Sequence, residues 1–243
     1  MNIYSIGCSF TEGQGLENFQ IENYTHLLSE KTKIYSYNLG SSGASNDYVF
    51  KKVFEILNNG VTKEDILIIQ WTHYIRLELP RKYDNNDFFF YLPNTIVPVP
   101  DKIIKPINES GTYVNKVVNS NTDYKKMDST IKYLTELHTE DFKKITGYFL
   151  NENYQINKTK NYIKSLYAYL ELNGYKHLHF FGWDNCVIPD NEILNYEKFL
   201  NKTFGGYTNT IGNSHPDKLG HSEWSSFLLT KLEELNYIKT KLI

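Results

Sequence analysis

Cysteine is nearly missing from this chain: its 243 residues hold two, Cys8 and Cys186, far apart in sequence. That excludes a disulfide framework and any cysteine-based metal spacing, and it makes a reducing compartment the default. An excess of basic charge is missing too. Lys and Arg total 26 against 28 Asp and Glu, a formal net charge of -2, so no positive field points to nucleic acid as a partner. No apolar run approaches the roughly 18 residues of a membrane span, and no basic, then apolar, leader precedes the first strand. The expectation is a soluble, unexported protein, either cytoplasmic or virion-associated and released by lysis, that meets neither membrane nor nucleic acid. Internal repeats are absent. Aromatics, by contrast, are abundant: 20 Tyr and 14 Phe suit a sugar-stacking surface as well as an aromatic core.

What is present reads as alternating strands and helices. Ile3 to Gly7 is a short apolar strand that ends on a glycine, followed by Ser9 on a tight turn with more glycines behind it. A helix is expected over 16–31, a second strand over 33–39 that ends in a small-residue loop at 38–46, and a second helix stopped by Asn59-Gly60. Ile66 to Trp71 reads as a third strand buried on both faces. Strand, helix, strand, helix, strand at this pitch predicts right-handed crossovers and a parallel sheet. The fold class is therefore α/β: a three-layer α/β/α arrangement, flavodoxin-like, with about five parallel strands. One domain is expected over 1–243. Between 78 and 124 the pattern breaks, with five of the seven prolines and the run Phe88-Phe89-Phe90-Tyr91. This stretch reads as an insertion, either a lid or substrate platform over the active edge or a surface excursion without a role. Helices are expected over 127–150 and 160–173, a fourth strand over 177–182, a helix over 191–200, and a final helix after His215-Pro216.

Serine on a turn after a first strand emerges at the carboxyl edge of the sheet, where ligands of open α/β folds gather. An ordinary helix-capping serine would read the same way. Near the far end, Asn213-Ser214-His215-Pro216-Asp217-Lys218-Leu219-Gly220-His221 places a histidine in a loop before a helix. A serine hydroxyl needs such a base within hydrogen-bond reach to act as a nucleophile.

Taken together, Gly7-Cys8-Ser9-Phe10-Thr11-Glu12-Gly13, the loop Asn38-Leu39-Gly40-Ser41-Ser42-Gly43 and the histidine block resemble the three ordered motifs of the SGNH (GDSL-like) hydrolases. The resemblance spans nearly the whole chain on short motifs. It implies Ser9 as nucleophile, His215 as base, and the Ser9 and Gly43 amides as oxyanion donors. Two departures follow. The family's Gly-x-Asn-Asp block after strand 3 is replaced by Gln70-Trp71-Thr72-His73, so either Thr72, His73 or Gln70 supplies the third donor or the oxyanion hole is weaker. The aspartate three residues before the histidine is replaced by Gly212, leaving Asn213, a backbone carbonyl, Asp184 or Asp217 to orient the ring. His221 is the rival base and is read as structural. Cys8 stands where the first block has aspartate and is read as a small buried residue.

The function implied is a serine esterase acting on carboxyl esters, with O-acyl or O-acetyl groups on carbohydrate as the substrate class. The alternatives are acyl transfer at the same site and a catalytically silent carbohydrate- or ligand-binding module. Arg76 is placed either to hold a carboxylate or phosphate of the substrate or to make a structural ion pair. Trp71 and Asp184, at the ends of strands 3 and 4, are the other expected substrate contacts. No metal and no cofactor are implied. A dinucleotide is disfavoured because the glycines lack the required spacing and no acid closes strand 2.

Overall fold

The computed structural model describes residues 1–74, 76–80, 87–90, 151–207 and 215–239. Four strands form one parallel sheet: β1 (Ile3–Gly7), β2 (Ser36–Gly40), β3 (Ile66–Trp71) and β6 (Lys176–Phe181), in the order β2-β1-β3-β6. Between them run α1 (Ser9–Glu12), α2 (Phe19–Glu22), α3 (Tyr24–Thr32), α4 (Asn46–Asn58) and α5 (Glu152–Leu172), and beyond β6 lie α6 (Asn191–Leu194) and α7 (Lys218–Glu234). Alternation along β3 divides the core in two. Ile66 and Ile68 pack with Ile3, Leu178 and Phe180 against Tyr24 and Leu28 of α3 and Trp224, Leu228 and Leu232 of α7. Leu67, Ile69 and Trp71 pack with Ile6 and Phe181 against Val49 and Val53 of α4 and Ile163, Leu166 and Leu170 of α5. The result is the expected three-layer α/β/α frame, with every β3 residue buried.

Among the described residues the sheet has four strands where about five were expected. Beyond β6, His179 N donates to the Lys198 carbonyl and Leu200 N to the His179 carbonyl, each at 2.8 Å. These bonds make an isolated bridge, His179 to Phe199, in place of a strand. The helix expected over 16–31 breaks at Asn23, whose side chain accepts from His26 N and so starts α3 afresh. The helix expected over 191–200 stops at Leu194, where the chain turns to make that bridge. Of the stretch 78–124, the described part is a hairpin, β4 (Leu77–Pro80) antiparallel to β5 (Asp87–Phe90). The rest of it, and the helix expected over 127–150, lie outside the described residues. α5 begins earlier than expected because Asn151 caps it by accepting from Tyr154 N.

Two close approaches hold the carboxyl edge of the sheet together. Ser41 N donates to the Gly7 carbonyl at 3.1 Å, and Asn38 Nδ2 donates to the Thr11 carbonyl at 2.8 Å. Gly40 faces the backbone of α1 so closely that a Cβ there would lie 2.3 Å from Glu12 N and 2.7 Å from the Thr11 carbonyl carbon. Backbone cannot swing aside as a side chain can. Gly40→Ala is therefore expected to cost about 1–3 kcal/mol, the usual range for overpacking. An unchanged urea midpoint would show that the two loops have slack.

β6 carries an unexpected polar element. The Trp71 indole, which can only donate, donates to His179 Nδ1 at 3.1 Å. His179 Nε2 then donates to His177 Nδ1 at 3.0 Å, and His177 Nε2 donates to Glu171 Oε1 at 2.7 Å. Lys198 covers the same carboxylate. Burial pushes the His177 ring down to about 4, against the pull of Glu171, and takes the fully buried His179 well below its ordinary value. Unfolded, both rings titrate near about 6.5. As pH falls from there toward 4, the unfolded chain takes up protons that the folded chain refuses, so stability falls with pH. The urea midpoint at pH 5 is expected to lie clearly below that at pH 7. Equal midpoints would mean that the rings are not held neutral.

Candidate active site

The first strand delivers Ser9 to the edge. Cys8, with extended backbone, occupies the cap position of α1, and Ser9 is the first helical residue. The serine is thus not spent on capping. Its Oγ lies 2.9 Å from His215 Nε2 across 206 residues of chain, a hydrogen bond of ordinary length between an alcohol and an imidazole nitrogen. The His215 ring meets the edge of Phe10 at 4.9 Å, and a Cβ on Gly15 would sit 3.8 Å from the His215 Cβ. Phe10 in turn meets Phe204 at 5.8 Å, and Phe204 stacks on Trp224 of α7 at 5.2 Å. An aromatic column therefore supports the imidazole from the core. An imidazole so placed is able to take the hydroxyl proton as the oxygen attacks a carbonyl.

No protein-family model matches the chain, and no curated protein matches it. Solved structures do. It is similar to a protein of the lipolytic G-D-S-L family from Veillonella parvula DSM 2008, at 11% identity over 97% of each chain, with a TM-score of 0.36. A protein classed with the same family from Desulfitobacterium hafniense DCB-2 aligns at 13% identity over 95% of this chain and 99% of that one, with a TM-score of 0.36. A candidate GDSL-like lipase from Bacteroides ovatus ATCC 8483 aligns at 16% identity over 99% of this chain but 55% of its own, with a TM-score of 0.41. At identities and TM-scores this low, the chemistry of the site is left to its own geometry.

Around the serine, the loop after β2 is stitched to the turn that carries Ser9. Besides the Ser41 contact, the Ser42 hydroxyl donates to Glu12 and to Gln14 Oε1. Gly43 adopts φ of 82°, a conformation open to glycine and strained for most other residues. Among the described residues, neither the Gly43 amide nor the Ser9 amide donates to a backbone carbonyl. Thr72, expected as an oxyanion donor, is 1% exposed. Its backbone N–H is taken by Asn46 Oδ1 at 2.8 Å, and Asn46 Nδ2 returns to the Thr72 carbonyl at 3.0 Å. That leaves its hydroxyl, buried and unpartnered among the described residues. His73 is also buried, and burial, helped by the Arg76 charge, lowers its ring to about 4. It therefore stays neutral at pH 7, with one ring nitrogen protonated.

The remaining expectations separate. Arg76 Nη1 donates to the Ala44 carbonyl at 3.2 Å, and its guanidinium lies 5.0 Å over the Trp183 ring. Trp183 meets Phe10 at 4.9 Å, so the arginine stands between the Gly43 loop and the aromatic wall beside Ser9. Trp71 does not face substrate. It is fully buried toward α4 and α5 because odd positions of β3 point that way, and its indole is engaged by His179. Asp184 is exposed and accepts from Thr203 Oγ1 at 2.6 Å, while Asp217 caps α7 by accepting from Gly220 N. Asn213 lies outside the described residues. Gln70, the other third-donor candidate, turns its amide inward to Cys8 Sγ at 3.1 Å. His221 is buried, its Nδ1 accepts from Tyr24 N at 3.0 Å, and burial lowers it to about 3. Both cysteines are buried. Among the described residues no group of three or more His, Cys, Asp or Glu is placed to hold a metal ion, and no helix is long and apolar enough to cross a membrane.

Residue-level reading passed over His177, His179 and Asn46. The two histidines alternate along an apolar strand, which signals burial on one face. Asn46, at the start of a helix, signals only a cap.

Proposed function

We propose that the chain is a serine esterase in which Ser9 attacks an ester carbonyl and His215 first removes, then returns, the proton. The observation that carries this reading is the 2.9 Å contact between Ser9 Oγ and His215 Nε2, made by residues from opposite ends of the sequence. As Oγ bonds to the carbonyl carbon, its proton passes to Nε2. Collapse of the tetrahedral intermediate expels the alcohol, which takes that proton, and water then releases the acid by the same relay. The Ser9 and Gly43 amides are the donors assigned to the oxyanion, with the neutral His73 ring or the Thr72 hydroxyl as third. The substrate class we assign is an O-acyl, especially O-acetyl, carbohydrate. Support comes from the half-buried Trp183, which packs on the buried Phe10 next to the serine, and from Arg76 over the Trp183 ring, which suits an anionic group on that sugar. The test is incubation with a fluorophosphonate probe, peptide mapping of the adduct, and hydrolysis of p-nitrophenyl acetate. Label on Ser9 with measurable turnover is the expected result. A chain that takes no label and releases no nitrophenol is not an esterase.

A further inference from the structure

We infer that Gln70 is the positioning residue of the nucleophile: its carboxamide clamps both ends of the turn that presents Ser9. The inference rests on the esterase reading above. Gln70 is fully buried at the end of β3, on the face shared by Ile66 and Ile68. A buried amide is costly unless its donors and acceptors are used. Here Oε1 accepts from Cys8 N at 3.3 Å, Thr11 N at 3.1 Å and Thr11 Oγ1 at 2.5 Å, and Nε2 donates to Cys8 Sγ at 3.1 Å. Two backbone N–H groups can face only an oxygen, so the orientation of the amide is fixed by its neighbours. The Thr11 hydroxyl spends its proton on Gln70, so Tyr24 Oη donates to Thr11 Oγ1, at 3.1 Å, and extends the clamp into α3.

The slot is made for this side chain. A Cβ on Gly7 would lie 2.3 Å from Thr11 Oγ1 and 2.5 Å from Gln70 Oε1, and one on Gly182 would lie 2.3 Å from Gln70 Nε2. Glycines at the end of β1 and just past β6, the strands either side of β3, thus leave the room the carboxamide fills. The residues it grips, Cys8 and Thr11, bracket Ser9. A four-residue helix cannot hold its own geometry, because nucleation costs more than so few bonds return. The direction of Ser9 Oγ toward His215 is therefore set from β3.

A side chain that only fills space is replaced best by methionine, of similar length and apolar. One that acts as an acceptor is replaced better by glutamate, which keeps an oxygen toward the two amides. We expect Gln70→Met to lower kcat for p-nitrophenyl acetate about a hundred-fold, the scale of an ångström-sized misplacement, with KM within about two-fold. The rate of fluorophosphonate labelling of Ser9 should fall in parallel. Gln70→Glu should recover most of both rates even where its urea midpoint is the lower of the two. Labelling and kcat for Gln70→Met equal to or above those for Gln70→Glu would overturn the inference. If Gln70→Met fails to fold, Thr11→Val removes the hydroxyl that joins the clamp to Gln70 and to Tyr24, and a wild-type kcat in that variant would overturn it as well. The wild-type chain separates the two readings: no label on wild type removes the esterase proposal, whereas label on wild type with no loss in the Gln70 variants removes only the clamp.

Discussion

Ser9→Ala is expected to lower kcat for p-nitrophenyl acetate by about ten-thousand-fold or more and to abolish fluorophosphonate labelling, while KM stays close to wild type. On the proposed mechanism the oxygen removed is the one that forms the covalent bond, so the effect belongs to the chemical step and not to substrate binding. Folding should be preserved. Ser9 Oγ makes its contacts to His215 Nε2 and, at 3.9 Å, to Cys8 Sγ, whereas the turn itself is held by Gln70 and Asn38. An alanine at position 9 with an unchanged urea midpoint and no turnover is the expected combination. Full hydrolysis by Ser9→Ala would assign the nucleophile elsewhere and end the proposal.

His215→Asn should be nearly as damaging, again with kcat falling by about ten-thousand-fold and KM little changed. Asparagine can still donate toward Ser9 but cannot carry a proton from the hydroxyl to the leaving group. The residual rate should climb with pH across the whole accessible range, as hydroxide replaces the missing base. His221, six positions along, cannot stand in. Its Nδ1 lone pair is occupied by the Tyr24 amide, and a ring lowered by burial to about 3 is a feeble base. Substantial activity in His215→Asn, together with its loss in a His221 variant that still folds, would exchange the two roles.

The pair at the centre of these predictions was legible in sequence because it sits in punctuation. Ser9 follows a strand and a glycine, and His215 precedes a proline and a helix, so local chain chemistry announces both. The layered α/β frame was legible for the same reason, from apolar runs at regular pitch. What escaped was tertiary. Trp71 reads as an edge residue until the register of β3 turns it toward α4 and α5. Gln70 reads as one polar residue in a buried strand, and only Gly7 and Gly182, brought alongside by β1 and β6, reveal what its amide reaches. The count of about five strands came with the flavodoxin-like fold class, since the apolar runs themselves mark four. A short α6 and the turn after it leave room for one bridge in place of a ladder.

The 206-residue separation of Ser9 and His215 makes their meeting a product of tertiary packing alone, with α7 held on α3 behind the histidine. On the proposed esterase reading, any partly unfolded state that frees α7 parts the imidazole from the alcohol, so fluorophosphonate labelling should vanish no later in a urea series than helical structure does.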